Sequence, residues 1–429
     1  MDPHQQPTLT ANILISHTGH ISYIGPNTPP PSDVETTIDA TGQWLLPGFI
    51  SAHSHFWQSV FPGHAPSSTV TDWSPGIYNA GSQFTAQDFY TTTLQGAQSH
   101  LRKGITTAFN FTYSPRFREG QTDRAQFAGA AASGIRFIHG FNVGAVGAKW
   151  SIEQAQARAQ TFLDWAEGES SRSCAGEDRY LGTMVAMHGV DYAHSASLYA
   201  EAEIMRRLQL QGHMHYLESS RPEDIAVERR RWTWLREAGL LLSSSLGHRL
   251  ILGHFVHATD EMVKEAAQAG VRMSWNPLSN GRLGSGIADV PRYRRHGVCV
   301  GLGVDGEASS DRCDPFENMR MGLYSLRAKY QDPRVLATSD VLHMHTLGAA
   351  ETLGVADRVG SLTVGKYADM LLLEPPKVWQ VEDAMSAVVL AAGVEHVKKV
   401  FVGGVQVWAE GQGSVEAKSV VHDWPAWTF

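Results

Sequence analysis

Apolar residues in this chain come in short runs, and the two ends follow a different rule from the middle. From Asn12 to Gly25 apolar and polar positions alternate: Ile13 and Ile15, then Ile21 and Tyr23 after a turn at Thr18-Gly19. A period of two puts every second side chain on one face, so this segment predicts a hairpin. Near the other end, Asp369-Met-Leu-Leu-Leu-Glu374 predicts a strand, and residues 397–408 predict a second hairpin that turns at Gly403-Gly404. Isolated hairpins are marginal in water. The two ends are therefore expected to pair into one small β-sandwich, residues 1–47 with 356–429.

Between the ends, eight strand-like apolar runs recur at 44–55, 104–112, 136–143, 183–190, 209–218, 250–257, 271–277 and 298–306. The stretches between most of them are long enough for helices. Thr85-Ala-Gln-Asp88 reads as a capping box opening a helix towards Lys103, and Thr259-Asp-Glu261 opens another that stops at Gly270. Strands alternating with helices predict an α/β protein, here a (β/α)8 TIM-like barrel over residues 48–355. A Rossmann arrangement is the weaker reading, because no GxGxxG follows the first strand.

Composition narrows the class. With 429 residues, 42% hydrophobic and 18% charged, the chain fits a large barrel plus an accessory domain and not a disordered protein. The formal net charge is -8, and the densest basic stretch, 228–236, is interrupted by Trp232 and Trp234. Nucleic acid is thus not an expected partner, since binding it requires a concentrated basic patch. Cys174, Cys299 and Cys313 are odd in number and widely spaced, which excludes a disulfide framework and any CxxC zinc site. No secretory signal is visible at the N-terminus, and no apolar run approaches the roughly 20 residues that span a bilayer. A soluble, cytoplasmic protein with no membrane partner is expected.

Parallel barrel strands are buried on both faces and should be almost wholly apolar. The exceptions here fall towards the C-terminal ends of the runs, where such barrels carry their active sites. Run one ends in His53-Ser-His55, run four holds His188, run five His213, His215 and Glu218, run six His254 and His257, and run eight ends near Asp305. The period of two places His53 and His55 on one side of their strand. Two nitrogens from one strand, a third from His215 and an oxygen from Asp305 make a ligand set suited to one divalent ion, zinc before iron. His213 and His257 are expected to face outward or to lie behind the ligands.

Several segments resemble the amidohydrolase superfamily, in particular its aminohydrolase branch of S-adenosylhomocysteine/methylthioadenosine, 8-oxoguanine and cytosine deaminases and triazine hydrolases. Leu46-Pro-Gly-Phe-Ile-Ser-Ala-His-Ser-His-Phe-Trp-Gln58 is similar to the first-strand motif of that branch and His215-Tyr-Leu-Glu218 to its HxxE. Gly253-His-Phe-Val-His257, Met273-Ser-Trp-Asn-Pro-Leu-Ser-Asn280 and Gly301-Leu-Gly-Val-Asp-Gly306 continue the series in order. The resemblance implies a mononuclear metal on His53, His55, His215 and Asp305, with Glu218 as proton shuttle and His254 beside the attacking water or the developing oxyanion. Asp305 would also orient that water and take its proton. His188 matches a substrate-contacting histidine, and Gln58 and Trp275 are further candidates for substrate contact. A homodimer is part of the same expectation.

Two departures bear on the substrate. Relatives carry His where this chain has Trp275, whose indole is expected to reshape the pocket floor or stack on a planar substrate. The acidic residue expected to hold a ribose is missing from 73–84, with only Asp72 before it. Trp57, Trp73 and Tyr78 are candidates for an aromatic wall. Hydrolytic deamination of an aminated heterocycle is the leading reading for a small-molecule substrate. Hydrolysis of another C–N bond or of a C–Cl bond is the alternative, and a non-catalytic scaffold relative a lesser one.

Overall fold

The computed structural model describes residues 10–26, 34–113, 121–144, 150–173, 178–188, 194–242 and 246–411. Cys174 and the last two residues of the fourth apolar run lie outside them. Eight parallel strands form one sheet: β4 (Phe49–Ser54), β5 (Ile105–Phe111), β6 (Arg136–Phe141), β7 (Tyr180–Ala186), β8 (Gly212–Tyr216), β9 (Leu250–His254), β10 (Arg272–Trp275) and β11 (Val300–Leu302). Each pairs with its neighbour in chain order, and a parallel bridge between Ser54 and Asp305 brings the last strand back to the first. The result is the TIM-like barrel anticipated from the alternating runs, with helices outside it.

The helices form where the sequence signals them. Thr85 and Asp88 make a reciprocal capping box for the helix Ala86–Arg102, and Thr259 caps Asp260–Ala269, which ends on left-handed Gly270. Their apolar faces pack on the outer faces of the strands in one large core that includes Phe137, Phe141, Met214, Leu252, Met273 and Leu302. Burying each such side chain contributes on the order of 1.5–3 kcal/mol.

The first apolar run is not one strand. Residues β3 (Trp44–Pro47) pair antiparallel with β12 (Met370–Leu373), while residues after Gly48 enter the barrel. Strand β12 continues the accessory sheet to β13 (Val397–Val402) and β14 (Val405–Ala409). The turn between the last two is Gly403-Gly404, with φ of 57° and 76°, a left-handed pair that closes a two-residue hairpin without steric conflict. The N-terminal hairpin, β1 (Asn12–Ile15) and β2 (Ile21–Gly25), packs Ile13, Ile21 and Ile24 against Met370, Leu372 and Phe401. Both chain ends thus meet in a small antiparallel unit. It is tied to the N-terminal end of the barrel by buried Arg136, whose guanidinium meets Asp369 at 2.8 and 2.9 Å and lies 3.8 Å from the ring centre of Tyr367.

Candidate metal centre and active site

Strand β4 delivers two imidazoles into the barrel. Its period of two sends His53 and His55 inward, while Ser54 turns out to the buried imidazole of His100 (3.0 Å). His55 Nε2 lies 3.3 Å from Asp305 Oδ1 and 3.3 Å from His215 Nε2, and His53 Nε2 lies 3.4 Å from Asp305 Oδ1. Ligand atoms of His53, His55 and Asp305 fall within 4.8 Å of one another, as do those of His53, His215 and His254 and those of Glu218, His254 and Asp305. The structure therefore brings six residues from four strand ends to one point.

The electrostatics suit a cation. Burial holds the imidazoles of His53, His215 and His254 in the neutral form, that of His254 pushed down to about 3. Burial alone would raise the Asp305 carboxyl, but the imidazoles of His53 and His55 against it reverse the effect and hold it well below the usual carboxylate range. Neutral imidazoles and one carboxylate are the protonation states a divalent ion requires. His53 Nε2 is buried without a hydrogen-bond partner among the described residues, which a bound ion would provide. His55 is oriented from behind, its Nδ1 donating to the Phe111 carbonyl (3.0 Å), so that Nε2 presents its lone pair to the centre.

His254 is held by two asparagines. Asn280 Nδ2 donates to its Nδ1 (2.9 Å), which leaves the proton on Nε2. That Nε2 faces Glu218 Oε2 at 3.6 Å and Asp305 Oδ2 at 3.9 Å. Asn276 Nδ2 lies farther off, 3.3 Å from His254 Nε2 and 3.5 Å from its Nδ1, so the shorter Asn280 bond sets the tautomer, and Asn276 Oδ1 accepts from Ser274 Oγ. The backbone bends sharply here: Leu217, His254 and Asp305 all have left-handed φ (52°, 68° and 61°). Such conformations cost of order 1–3 kcal/mol each for non-glycine residues and mark places where surrounding structure imposes the geometry.

The remaining candidates divide. Gln58 follows β4 in a short 3-10 turn, is buried beside Gly306, and its Oε1 has no partner among the described residues. His188 lies just past β7, buried, taking a hydrogen bond from Asn142 Nδ2 at Nδ1 (2.8 Å) and donating its backbone N–H to Glu201 (2.9 Å). Trp275 is corrected. It is buried, but its indole packs outward against Gly322 of the helix Pro315–Tyr330, so it does not join the inward-facing set. The inward positions of that segment are its neighbours Ser274 and Asn276, as the period of two requires.

His213 faces inward two residues before His215, its Nε2 3.0 Å from His53 Nδ1, whereas His257 is only half-buried and reaches the Ser285 carbonyl. Tyr113, at the end of β5, was missed by sequence reasoning. Its ring stacks on His55 (5.2 Å, 13°) and its hydroxyl lies 3.3 Å from His215 Nε2. Of the aromatic-wall candidates, Tyr78 meets Tyr113 edge-on, Trp73 donates to the Ala308 carbonyl (2.9 Å), and Trp57 is buried against Phe61, Phe84 and Phe89. Asp72 is engaged with Arg221 at the surface.

The sequence pattern of the amidohydrolase family matches residues 44–407. A 5-methylthioadenosine/S-adenosylhomocysteine deaminase of Desulforudis audaxviator is 31% identical over 393 residues, 90% of this chain and 86% of the relative. One from Bacillus cereus is 30% identical over 388 residues, 89% of this chain and 85% of the relative. Among solved structures, an adenosine deaminase from Xanthomonas campestris with bound zinc superposes with a TM-score of 0.78 at 22% identity, covering 93% of this chain and 88% of that one. An atrazine chlorohydrolase from Arthrobacter aurescens complexed with zinc does so at 0.78 and 23%, covering 92% and 90%. No helix among the described residues is long and apolar enough to cross a membrane.

Proposed function

The chain belongs to the amidohydrolase family, and we propose that it is a metal-dependent hydrolase that deaminates an aminated heterocycle. The observation that carries this reading is the meeting of His53, His55, His215 and Asp305 with Glu218 and His254 at one end of the barrel. The first four would hold one divalent ion, zinc by the chemistry of a three-nitrogen, one-oxygen set. When bound, such an ion supplies Lewis acidity that brings water towards ionisation near neutral pH.

The chain's own groups divide the proton work. Asp305, ionised at the working pH, orients the attacking water and accepts its proton. Glu218, reachable from solvent with 12% of its side chain exposed, delivers a proton to the ring nitrogen beside the amino-bearing carbon. His254 offers Nε2–H to the new oxygen as charge develops there, and Asn280 keeps that proton on the side facing the site. The C–N bond then breaks as the proton held by Asp305 passes to the amino group, which leaves as ammonia, while the new hydroxyl becomes a carbonyl and returns its proton to Glu218. The relatives named for deamination of adenine-type compounds make purines the first substrates to try, with His188 and Gln58 as substrate contacts. Free Cys299 and Cys313 accord with a cytoplasmic setting.

The test is ammonia release from aminated purines, their nucleosides, pyrimidines and triazines. Release that chelation abolishes and zinc restores is the expected result. Silence across the panel, with chloride or an amine released from another compound, would replace deamination by that chemistry.

A further inference from the structure

The two imidazoles that orient the zinc-side nitrogens of β4 are held in different ways. His55 is fixed by a backbone carbonyl, which is always an acceptor. His53 is fixed by another histidine, which accepts only in one tautomer. We propose that His213 is a positioning residue that sets the tautomer and orientation of His53, and that Gly253 makes the space this contact needs. The inference rests on the metal reading above.

Three observations support it. His213 is fully buried, with Nε2 3.0 Å from His53 Nδ1. Its ring lies flat on Phe109 (4.6 Å between centres, 7° between planes), which restrains rotation of the ring. Finally, a Cβ at Gly253 on the adjoining strand would lie 3.3 Å from His213 Nε2, closer than ordinary contact, so a side chain there would crowd the His213 ring. When His53 gives its Nε2 lone pair to an ion, its proton must sit on Nδ1 and be donated. His213 Nε2 is the acceptor, which places the proton of His213 on its own Nδ1, a buried nitrogen with no partner among the described residues. Removing that acceptor leaves a buried N–H unpaired and frees the His53 ring to turn.

The test measures zinc affinity of the full chain by competition with a chromophoric chelator. His213→Leu is expected to weaken zinc binding about 10–100-fold, the usual effect of removing a group behind a ligand, and His213→Gln, which restores an acceptor oxygen, to recover much of it. A packing role alone would lower the melting temperature of both metal-free variants and leave zinc affinity within about twofold of the parent, overturning the proposal. Should His213→Leu fail to fold, nitrogen-15 histidine spectra of the zinc-loaded parent decide. His213 with its proton on Nδ1 supports the assignment, and a proton on Nε2 overturns it. A parent chain that binds no zinc overturns the metal reading itself, a distinct outcome.

Discussion

The backbone N–H of Asp305 donates to the carbonyl of His53 (2.9 Å), while the Asp305 carboxylate faces the His53 imidazole at 3.4 Å. The contact that closes the last strand of the barrel onto the first is therefore also the one that brings Asp305 to the proposed ligands His53 and His55. Barrel closure and site geometry are the same event in this fold, because both depend on where residue 305 lands against residue 53.

Glu218, the proposed proton shuttle, lies 3.6 Å from His254 and is partly open to solvent. Glu218→Gln keeps the size of the side chain and removes its acid–base function. Zinc content should stay at the parent level while kcat falls by roughly 10²–10⁴. Turnover near that of the parent would remove Glu218 from its assigned role.

Asn280 decides which nitrogen of His254 carries the proton. Asn280→Leu frees that choice without touching a ligand, and kcat is expected to drop by about 10²-fold, the scale of losing one oriented donor. Steady-state kinetics with metal analysis would check it; a loss of zinc in step with activity would show that Asn280 acts through the metal site instead.

Trp275 faces the helical layer, so its replacement should be felt in stability and not in substrate binding. For Trp275→Phe, urea unfolding is expected to show a loss of about 1–3 kcal/mol, because the smaller ring leaves part of the space against Gly322 unfilled. KM should stay within about twofold, since only uniform binding contacts move KM alone. A large rise in KM with stability intact would return the indole to the pocket.

The pH dependence follows from buried imidazoles. Burial lowers the pKa of His53, His100, His213, His215, His254 and His345 below the usual 6.5, with His100 and His345 at about 4 and His254 at about 3. Above pH 6.5 both folded and unfolded chains leave these rings neutral, and they add no pH dependence. Below it the unfolded chain binds protons that the folded chain refuses, so stability falls with pH, each ring contributing about 1.4 kcal/mol per pH unit until its folded pKa is reached. Melting of the metal-free protein should be flat from pH 8 to 7 and decline steeply from 6.5 to 5. A flat profile across the lower range would contradict the burial of these rings.

Asp369 neutralises Arg136 at the opposite end of the barrel from the ligands, and also accepts from Gly403 N–H (2.7 Å). Asp369→Asn leaves a buried guanidinium without its counter-charge, and denaturant unfolding should register a loss of about 3–5 kcal/mol. Zinc affinity of the folded variant should not change. A stability loss under about 1 kcal/mol would mean the pair is reached by water, as surface pairs are.

Much of the architecture was legible along the chain because its signals are local. The Thr85 and Thr259 caps, the Gly403-Gly404 turn and the His53–His55 pair each depend on a few adjacent residues whose geometry the backbone dictates. The change of sheet at Gly48 falls at the 47/48 boundary expected from the sequence, although residues 44–55 also read as one apolar run. Tyr113, Asn276 and Asn280 carried no periodic signal, as a strand-end residue becomes part of a site only through what the neighbouring strand presents to it.

The sequence by itself determined the eight-fold alternation, the residue types of the proposed ligand set and the order in which they occur. Only the tertiary structure decided that His213 faces His53, that Trp275 turns away while Asn276 turns in, and that Asp305 closes onto β4. The physical reason is that parallel barrel strands are buried on both faces. Their side chains then carry no polar–apolar alternation to tell inside from outside, and the face each residue takes is set by strand register and barrel closure.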